Sequence, residues 1–499
     1  MTSLAAVARQ VDPDDLAGAV AGATDSGGRF TGLVATARDG GATSLRALIA
    51  DGASVEIIEA LLPAGVDHYR ALTPVVPGAF WYEREIHDLF GLVADGHPRL
   101  DALVFPLTGD GGDRLRPGRP EAGVRVDPDT SALPGHVYGE GVFTIPYGPV
   151  RSGVFETVEY LVETFGEDIP QLRVRPYLKH RGIARRFTGL DPGDGVLLAE
   201  RAEGTMSAAH AIAFCGAIET LGGVDPPPAA QLLRVVHAEL ERIAHHLDSM
   251  IRHTEGAGQA VAYARLSWHK ERLLRLQADL CGHRFARGVV TLGGTTGPPL
   301  LAPDEALGAL RAIEADLARD LRTLMTTPSF LDRLRTTGIV APAVAVVHGA
   351  LGPVGRGSGT GPDVRIERPY GGYRQLGFAP AGPRDAGDAL ARQWIRAEEV
   401  AGSWHLLRQA LDELGAHPDG PWRCPAPVAD GTGLGWSESP QGELIYLVEV
   451  TDGHLAHVKA RTASFHNFAL FSHAFGGDIL TDFVFIEASF GVNLAGVAG

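Results

Sequence analysis

The segment that most restricts the fold starts at Pro226-Pro227-Pro228 and runs to about Arg252. Proline is tolerated in a first helical turn. Leu232, Val236, Leu240, Ile243, Leu247 and Ile251 then recur every three or four residues as one stripe, while Arg234, Glu241 and Asp248 lie mainly elsewhere. A helix this long predicts the core of a bundle. His245 and His246 on it read as packing residues rather than ligands.

Other helices are expected around it: Trp268–Cys281, ended by Gly282, then Pro303–Thr323 and Pro328–Arg335. A long one is expected over Ala386–Leu414, where Arg392, Arg396 and Glu399 are spaced to meet on one face. Strands are expected at Gly442–Val450 and His457–Thr462 around Thr451-Asp452-Gly453, followed by a helix near Phe465–Phe475.

The beginning of the chain is patterned differently. It predicts a short helix at Pro13–Ala23, strands at Phe30–Thr36 and Thr43–Ile49, a helix over Ala53–Leu62 and a strand over Tyr69–Val76. Gly153–Thr164 and Leu172–Tyr177 read as strands. The fold class is α+β: a small N-terminal α+β domain at 1–110, a Pro/Gly-rich linker at 111–140, and a mainly helical domain with peripheral strands at 141–499.

A net charge of −16 argues against a nucleic-acid partner, because phosphate contacts need clustered Lys and Arg. The three cysteines, Cys215, Cys281 and Cys424, are far apart and form no CxxC pair, which excludes a cluster held by local thiolates. No apolar run reaches the length of a membrane-spanning helix. The start MTSLAAVARQ has no signal-peptide core, so the expected location is cytoplasmic, with docking onto a membrane partner left open.

Three stretches carry candidate chemistry. Glu83, Glu85, His87 and Asp88 have metal-ligand residue types, but thiolates and a paired histidine are missing. The favoured reading is an ion-pair network of Glu83, Arg84 and Asp88 above Trp81, Leu89 and Phe90. Pro342–Tyr373 is glycine-rich but has no GxxxxGK[ST], so Arg356, Asp363 and Arg365 are read as a polar network under a loop. Leu198–Gly223 opens with Glu200-Arg201, passes a small polar turn and becomes an Ala-rich helix with His210 in its first turns.

These motifs carry a resemblance. Glu83-Arg84-Glu85, Asp88, Phe90-Gly91 and Gly96-His97-Pro98 resemble the 30-kDa-type subunit of respiratory complex I. Ile145-Pro-Tyr-Gly-Pro149, Lys179-His-Arg-Gly182, Ala209-His210, Glu241-Arg-Ile-Ala-His-His-Leu247, Gly352-Pro-x-x-Arg356 and Ala463-Ser-Phe465 resemble the 49-kDa-type subunit. They equally resemble the large subunit of group 4 nickel–iron hydrogenases, as in formate hydrogenlyase and hydrogenase-4. The resemblance covers nearly the whole chain in order.

It implies four nickel thiolates, and none is present. The first pair falls at Glu203 and Met206, the second at Asn493 and Gly496. In the complex I branch the same cavity takes a quinone headgroup, held by a tyrosine and a histidine. The tyrosine position is Gly204 and the histidine falls near Glu156, while Arg151 stands at the histidine of GPxH.

Arg151, Glu156, Glu203 and His210 are therefore the candidate catalytic groups, and Gly204, Met206 and Asn493 the candidate cofactor-contacting ones, with no metal ligand. Two readings of them stand: a proton-coupled polar cavity and a vestigial ion-pair network. The resemblance also implies an NADH–quinone-oxidoreductase-like complex, with NAD and quinone binding among its functions. The [4Fe–4S] cluster would lie in a small partner subunit. Antiporter-like and other membrane-arm subunits would be the remaining partners, with the chain peripheral on the cytoplasmic face. A non-catalytic coupling subunit is the alternative.

Overall fold

The computed structural model describes residues 8–104, 141–151, 156–176, 179–417 and 420–499, together with the backbone of 114–116 and 119–124. Strand β1 (Ala8–Val11) leads into helix α1 (Leu16–Asp25), and β2 (Arg29–Ala37), β3 (Thr43–Asp51) and β4 (Ser54–Leu62) follow. They form one sheet in the order β1-β4-β3-β2, with β1 parallel to β4 and the other pairs antiparallel.

The helix expected over Ala53–Leu62 is therefore strand β4. Gly52, at φ 51°, turns the chain back after β3. Val55, Ile57 and Ile58 then bury as a central strand bonded on both edges. Short apolar runs fit either periodicity, and β-branched side chains suit the pleated surface better.

The strand expected over Tyr69–Val76 shrinks to His68–Arg70, which pairs with Val93–Asp95. The cause is Glu83 on α2 (Phe80–Phe90): its carboxylate accepts the N–H of Leu72 at 2.7 Å and of Thr73 at 3.0 Å. The other charged residues of α2 also tie down loop backbone. Asp88 accepts from Leu103 and Val104 N–H at 2.7 and 2.8 Å, and Arg84 donates to the carbonyls of Asp101 and Ala102. The expected network among Glu83, Arg84 and Asp88 is thus chiefly a set of clamps that satisfy buried backbone groups.

The linker expected at 111–140 lies mostly outside the described residues. Within it, Arg114–Arg116 and Arg119–Val124 pair as an antiparallel ribbon. A small antiparallel sheet follows, β5 (Phe143–Tyr147), β6 (Glu159–Thr164) and β7 (Gln171–Arg175), in the order β7-β6-β5.

The helical layer is α3 (Ser207–Leu221), α4 (Pro228–Gly256), α5 (Ala260–Cys281), α6 (Pro303–Leu324) and α7 (Ala389–Gly415). The chain closes with the antiparallel sheet β8 (Gly431–Ser439), β9 (Gly442–Thr451) and β10 (His454–Arg461), then α8 (Phe483–Phe490) and α9 (Leu494–Ala498). The helix expected near Phe465–Phe475 is split into Ala463–Phe468 and a 3-10 turn at Phe471–Phe475.

The two ends of the chain share their cores. Trp81 and Tyr82 pack edge-on against Phe465, and Val34, Leu48 and Ile57 bury against Leu434, Ile445 and Leu447. Arg46 and Arg38 cross between these layers to Glu449, and Lys459 reaches Glu85 at 2.6 Å.

Helix α4 has no solvent face of the kind its stripe predicts. It packs against α5, α7 and α8, so Arg234, Glu239, Glu241 and Arg242 are buried with the leucines. Each charge has a partner. Glu239 meets Arg242 at 3.1 Å and Arg365 at 3.1 Å, and accepts from Tyr373 at 2.5 Å and Ser403 at 2.6 Å. Glu399 meets Arg356 and His246, each at 2.7 Å, and Arg356 also reaches Glu438 at 3.2 Å.

Burial opposes ionisation of Glu239, but Arg242, Arg365 and the two hydroxyls outweigh it and hold the carboxyl at about 2. A depressed carboxyl contributes stability that is present above its unfolded pKa and lost as pH falls through its folded one. Glu239→Gln is expected to cost about 3 kcal/mol at neutral pH. In urea titrations the gap to wild type should close as pH falls from about 4.5 toward about 2. A gap that is constant with pH would show that Glu239 is not ionised in the fold.

Candidate active site

The turn between Glu200 and Met206 is fixed from behind by α4. Glu241 accepts the N–H groups of Ala208 and Ala209, at 2.8 and 3.1 Å, and so caps the N-terminus of α3. Burial pushes this carboxyl up to about 8 against those donors, and the charge of Glu203 pushes the same way. Glu200 accepts from Gly288 N–H at 2.7 Å, and Arg287 donates to Gly204 O at 3.1 Å. Both ends of the turn are thereby anchored.

Onto this turn folds the end of the chain. Asn493 caps α9 through its side chain, and its amide nitrogen donates to Thr205 at 3.2 Å. Glu156 accepts from the N–H groups of Leu494 and Ala495 at the same helix start. Arg181 ties the two strands of chain together, donating to Ala202 O at 2.5 Å and Ala495 O at 3.1 Å.

At the centre, Glu203 is 1 % exposed and Met206 0 % exposed, and Gly496 packs against the Glu203 side chain. A Cβ added at Gly496 would lie 1.4 Å from Glu203 Oε1, so the Glu203 carboxyl already fills the space a side chain there would use. Glu203 Oε1 is buried and has no hydrogen-bond partner, while Oε2 lies 3.9 Å from His210 Nε2. His210 Nδ1 and Tyr446 Oη are 2.7 Å apart. The result is a buried line from Glu203 through His210 to Tyr446.

The fold thus brings together Glu203, Gly204, Met206, His210, Asn493 and Gly496, with Glu156 at the N-terminus of α9. Arg151 is held elsewhere. It forms a two-pronged pair with Glu487 at 2.8 Å and lies over the rings of Tyr147 and Tyr160. Tyr446 and Arg181 complete the site although neither was singled out by sequence. Arg181 lay inside the quoted Lys179–Gly182 motif, but Tyr446 sits on a strand with no local signal of its role.

Two comparisons bear on ancestry. The family described as respiratory-chain NADH dehydrogenase, 30 Kd subunit, matches residues 32–116, and its 49 Kd counterpart matches 257–429. The carbon monoxide-induced hydrogenase of Rhodospirillum rubrum is 30% identical over 62% of this chain and 85% of its own length. The chain belongs to the family of fused complex I 30-kDa and 49-kDa subunits and group 4 hydrogenase large subunits.

Hydrogenase-4 component G of Escherichia coli is 26% identical over 85% of this chain and 75% of its own. The C/D subunit of the NADH-quinone oxidoreductase of Bdellovibrio bacteriovorus is 26% identical, over 68% and 62% respectively.

A nickel–iron centre of the hydrogenase branch does not fit this site. The four positions offer a carboxylate, a thioether, an amide already used as a helix cap, and no side chain. A low-potential nickel site requires several soft thiolates. Cys215 is buried in the main hydrophobic core, and burial pushes its thiol well up. Among the described residues no three His, Cys, Asp or Glu side chains gather as metal ligands would.

The contact between Glu203 and Gly496 makes a measurable prediction. Gly496→Ala is expected to lower stability by about 1–3 kcal/mol, as overpacking does. In a Glu203→Ala background the same change should cost less, giving a coupling of about 1 kcal/mol or more in a double-mutant cycle. Additive effects would place the two residues out of contact.

Proposed function

We propose that the chain is a peripheral subunit of a membrane-associated oxidoreductase complex, on the cytoplasmic face. In this reading electrons pass from a [4Fe–4S] cluster in a small partner subunit toward a quinone-like acceptor, and this chain itself carries no redox metal. Antiporter-like membrane subunits are the other expected partners. Among the described residues no helix is long and apolar enough to cross a membrane, so attachment would come through such partners.

The observation that carries the reading is the chemistry at the four converging positions. No thiolate stands at them, Glu203 fills the volume, and the ionisable line Glu203–His210–Tyr446 ends there. Such a line can move or hold a proton beside an acceptor, and the acceptor itself supplies the electron chemistry.

The same filling favours one second reading, a coupling subunit that keeps the assembly and has lost the reaction. A complex purified through this chain is expected to reduce a soluble quinone analogue, and His210→Ala to lower the rate about 10-fold or more while assembly persists. An intact complex with no reductase activity would select the coupling reading. Elemental analysis is expected to find nickel far below one per chain, and stoichiometric nickel would overturn both readings.

A further inference from the structure

Glu239 and Glu241 lie two residues apart on α4 and so about 200° apart around the helix. Their surroundings differ accordingly. Glu239 meets two guanidinium groups, Arg242 and Arg365. Glu241 has no ion-pair partner among the described residues, and its two oxygens accept the N–H groups of Ala208 and Ala209. A carboxylate oxygen that accepts one such bond keeps a second lone pair.

Glu241 lines a pocket between α4 and α5. The lining runs from the surface inward. Thr205 and Arg284 are exposed and Asp248 and Lys270 partly so, while Glu241 keeps 9 % of its surface and Leu273 only 1 %. The pocket has a volume of about 40 Å³, and one water needs roughly 10–15 Å³, so there is room for more than one. Thr205 joins this pocket to the candidate site: it sits on the turn that carries Glu203, and Asn493 donates to it.

The cations of the lining are already matched. Lys270 closes on Asp248 and Arg284 on Glu271, each at 2.6 Å. His245 also lines the pocket, and burial holds it well below its usual range, so it is neutral. Arg242 favours the Glu241 carboxylate but is paired with Glu239, and Glu203 opposes it from the turn. Burial is the largest influence and sets the Glu241 carboxyl at about 8, so it holds a proton at neutral pH and releases it just above.

We propose that Glu241 takes up and releases protons for the candidate site, with water in this pocket as its link to the outside. The step moves one proton from a pocket water onto a remaining lone pair of the Glu241 carboxylate, and no electron moves with it. A charged acceptor bonds N–H about twice as strongly as a neutral one, so losing the proton tightens the cap on α3, the helix that carries His210. In electron transfer, a proton stored here would balance negative charge arriving beside Glu203, and only that use rests on the proposed function.

Infrared spectroscopy of the purified full-length chain tests the exchange without any turnover. Wild type minus Glu241→Gln is expected to show one protonated-carboxyl C=O band that fades with a midpoint near pH 8. If Glu241→Gln does not fold, Glu241→Asp serves instead: it keeps a carboxyl, and the band should move in frequency. Transfer into heavy water is expected to shift the wild-type band within seconds. Leu274 lines the pocket, and Leu274→Trp should slow that shift about 10-fold or more at unchanged melting temperature.

A wild-type band that stays unshifted in heavy water for hours, or no band lost in folded Glu241→Gln, overturns the proposal. Exchange at the wild-type rate in folded Leu274→Trp overturns the pocket as the route. In the complex, quinone reduction by Glu241→Gln is expected to keep a measurable rate and lose the titration near pH 8. An unchanged pH profile would overturn the link to the candidate site. Proton exchange without any quinone reduction would sink the electron-transfer reading and leave the Glu241 site standing.

Discussion

A lattice of buried charges holds this protein together. Glu239, Arg242, Arg356, Asp363, Arg365, Glu399 and Glu438 are all buried, and none reaches water to be neutralised. Removing such ions from water costs several kcal/mol each, which only close, hydrogen-bonded partners offset. The partners come from α4, from α7, from the glycine-rich segment and from β8, so those four parts have one mutual arrangement. Burial, reinforced by Asp363, pushes Glu438 up to about 7 even with Arg356 beside it.

The candidate site inherits its rigidity from that lattice. Glu241 lies on the same helix as Glu239 and Arg242, and it fixes the start of α3. The turn from Glu200 to Met206 is therefore presented to α9 in one position, and Arg181 locks the two together. A carboxylate at 203 with glycine at 496 uses the room that two facing side chains would need.

Much of the architecture was legible in residue patterns. The stripe from Leu232 to Ile251 places α4 correctly, and Gly282 ends α5 in a left-handed cap at φ 79°. Strands β2 and β3 form where the sequence predicts them. Ala53–Leu62 was misread because its apolar run suits a helix as well as a central strand, and only pairing with β1 and β3 separates the two. Strand β8 and helix α8 escaped notice: β8 holds three glycines among its nine residues, and α8 is apolar on nearly every face, so neither shows a clean period.

By itself the sequence determined the α+β class, the ancestry of the chain and the presence of only three cysteines. Those depend on local periodicity, on motifs in order and on which donor atoms exist at all. Only the tertiary structure decided which groups meet. It set Glu203 against Gly496, joined His210 to Tyr446, and held Arg151 on Glu487. Contacts between residues hundreds of positions apart follow from how buried surfaces and charges are jointly satisfied, and no single stretch of chain carries that information.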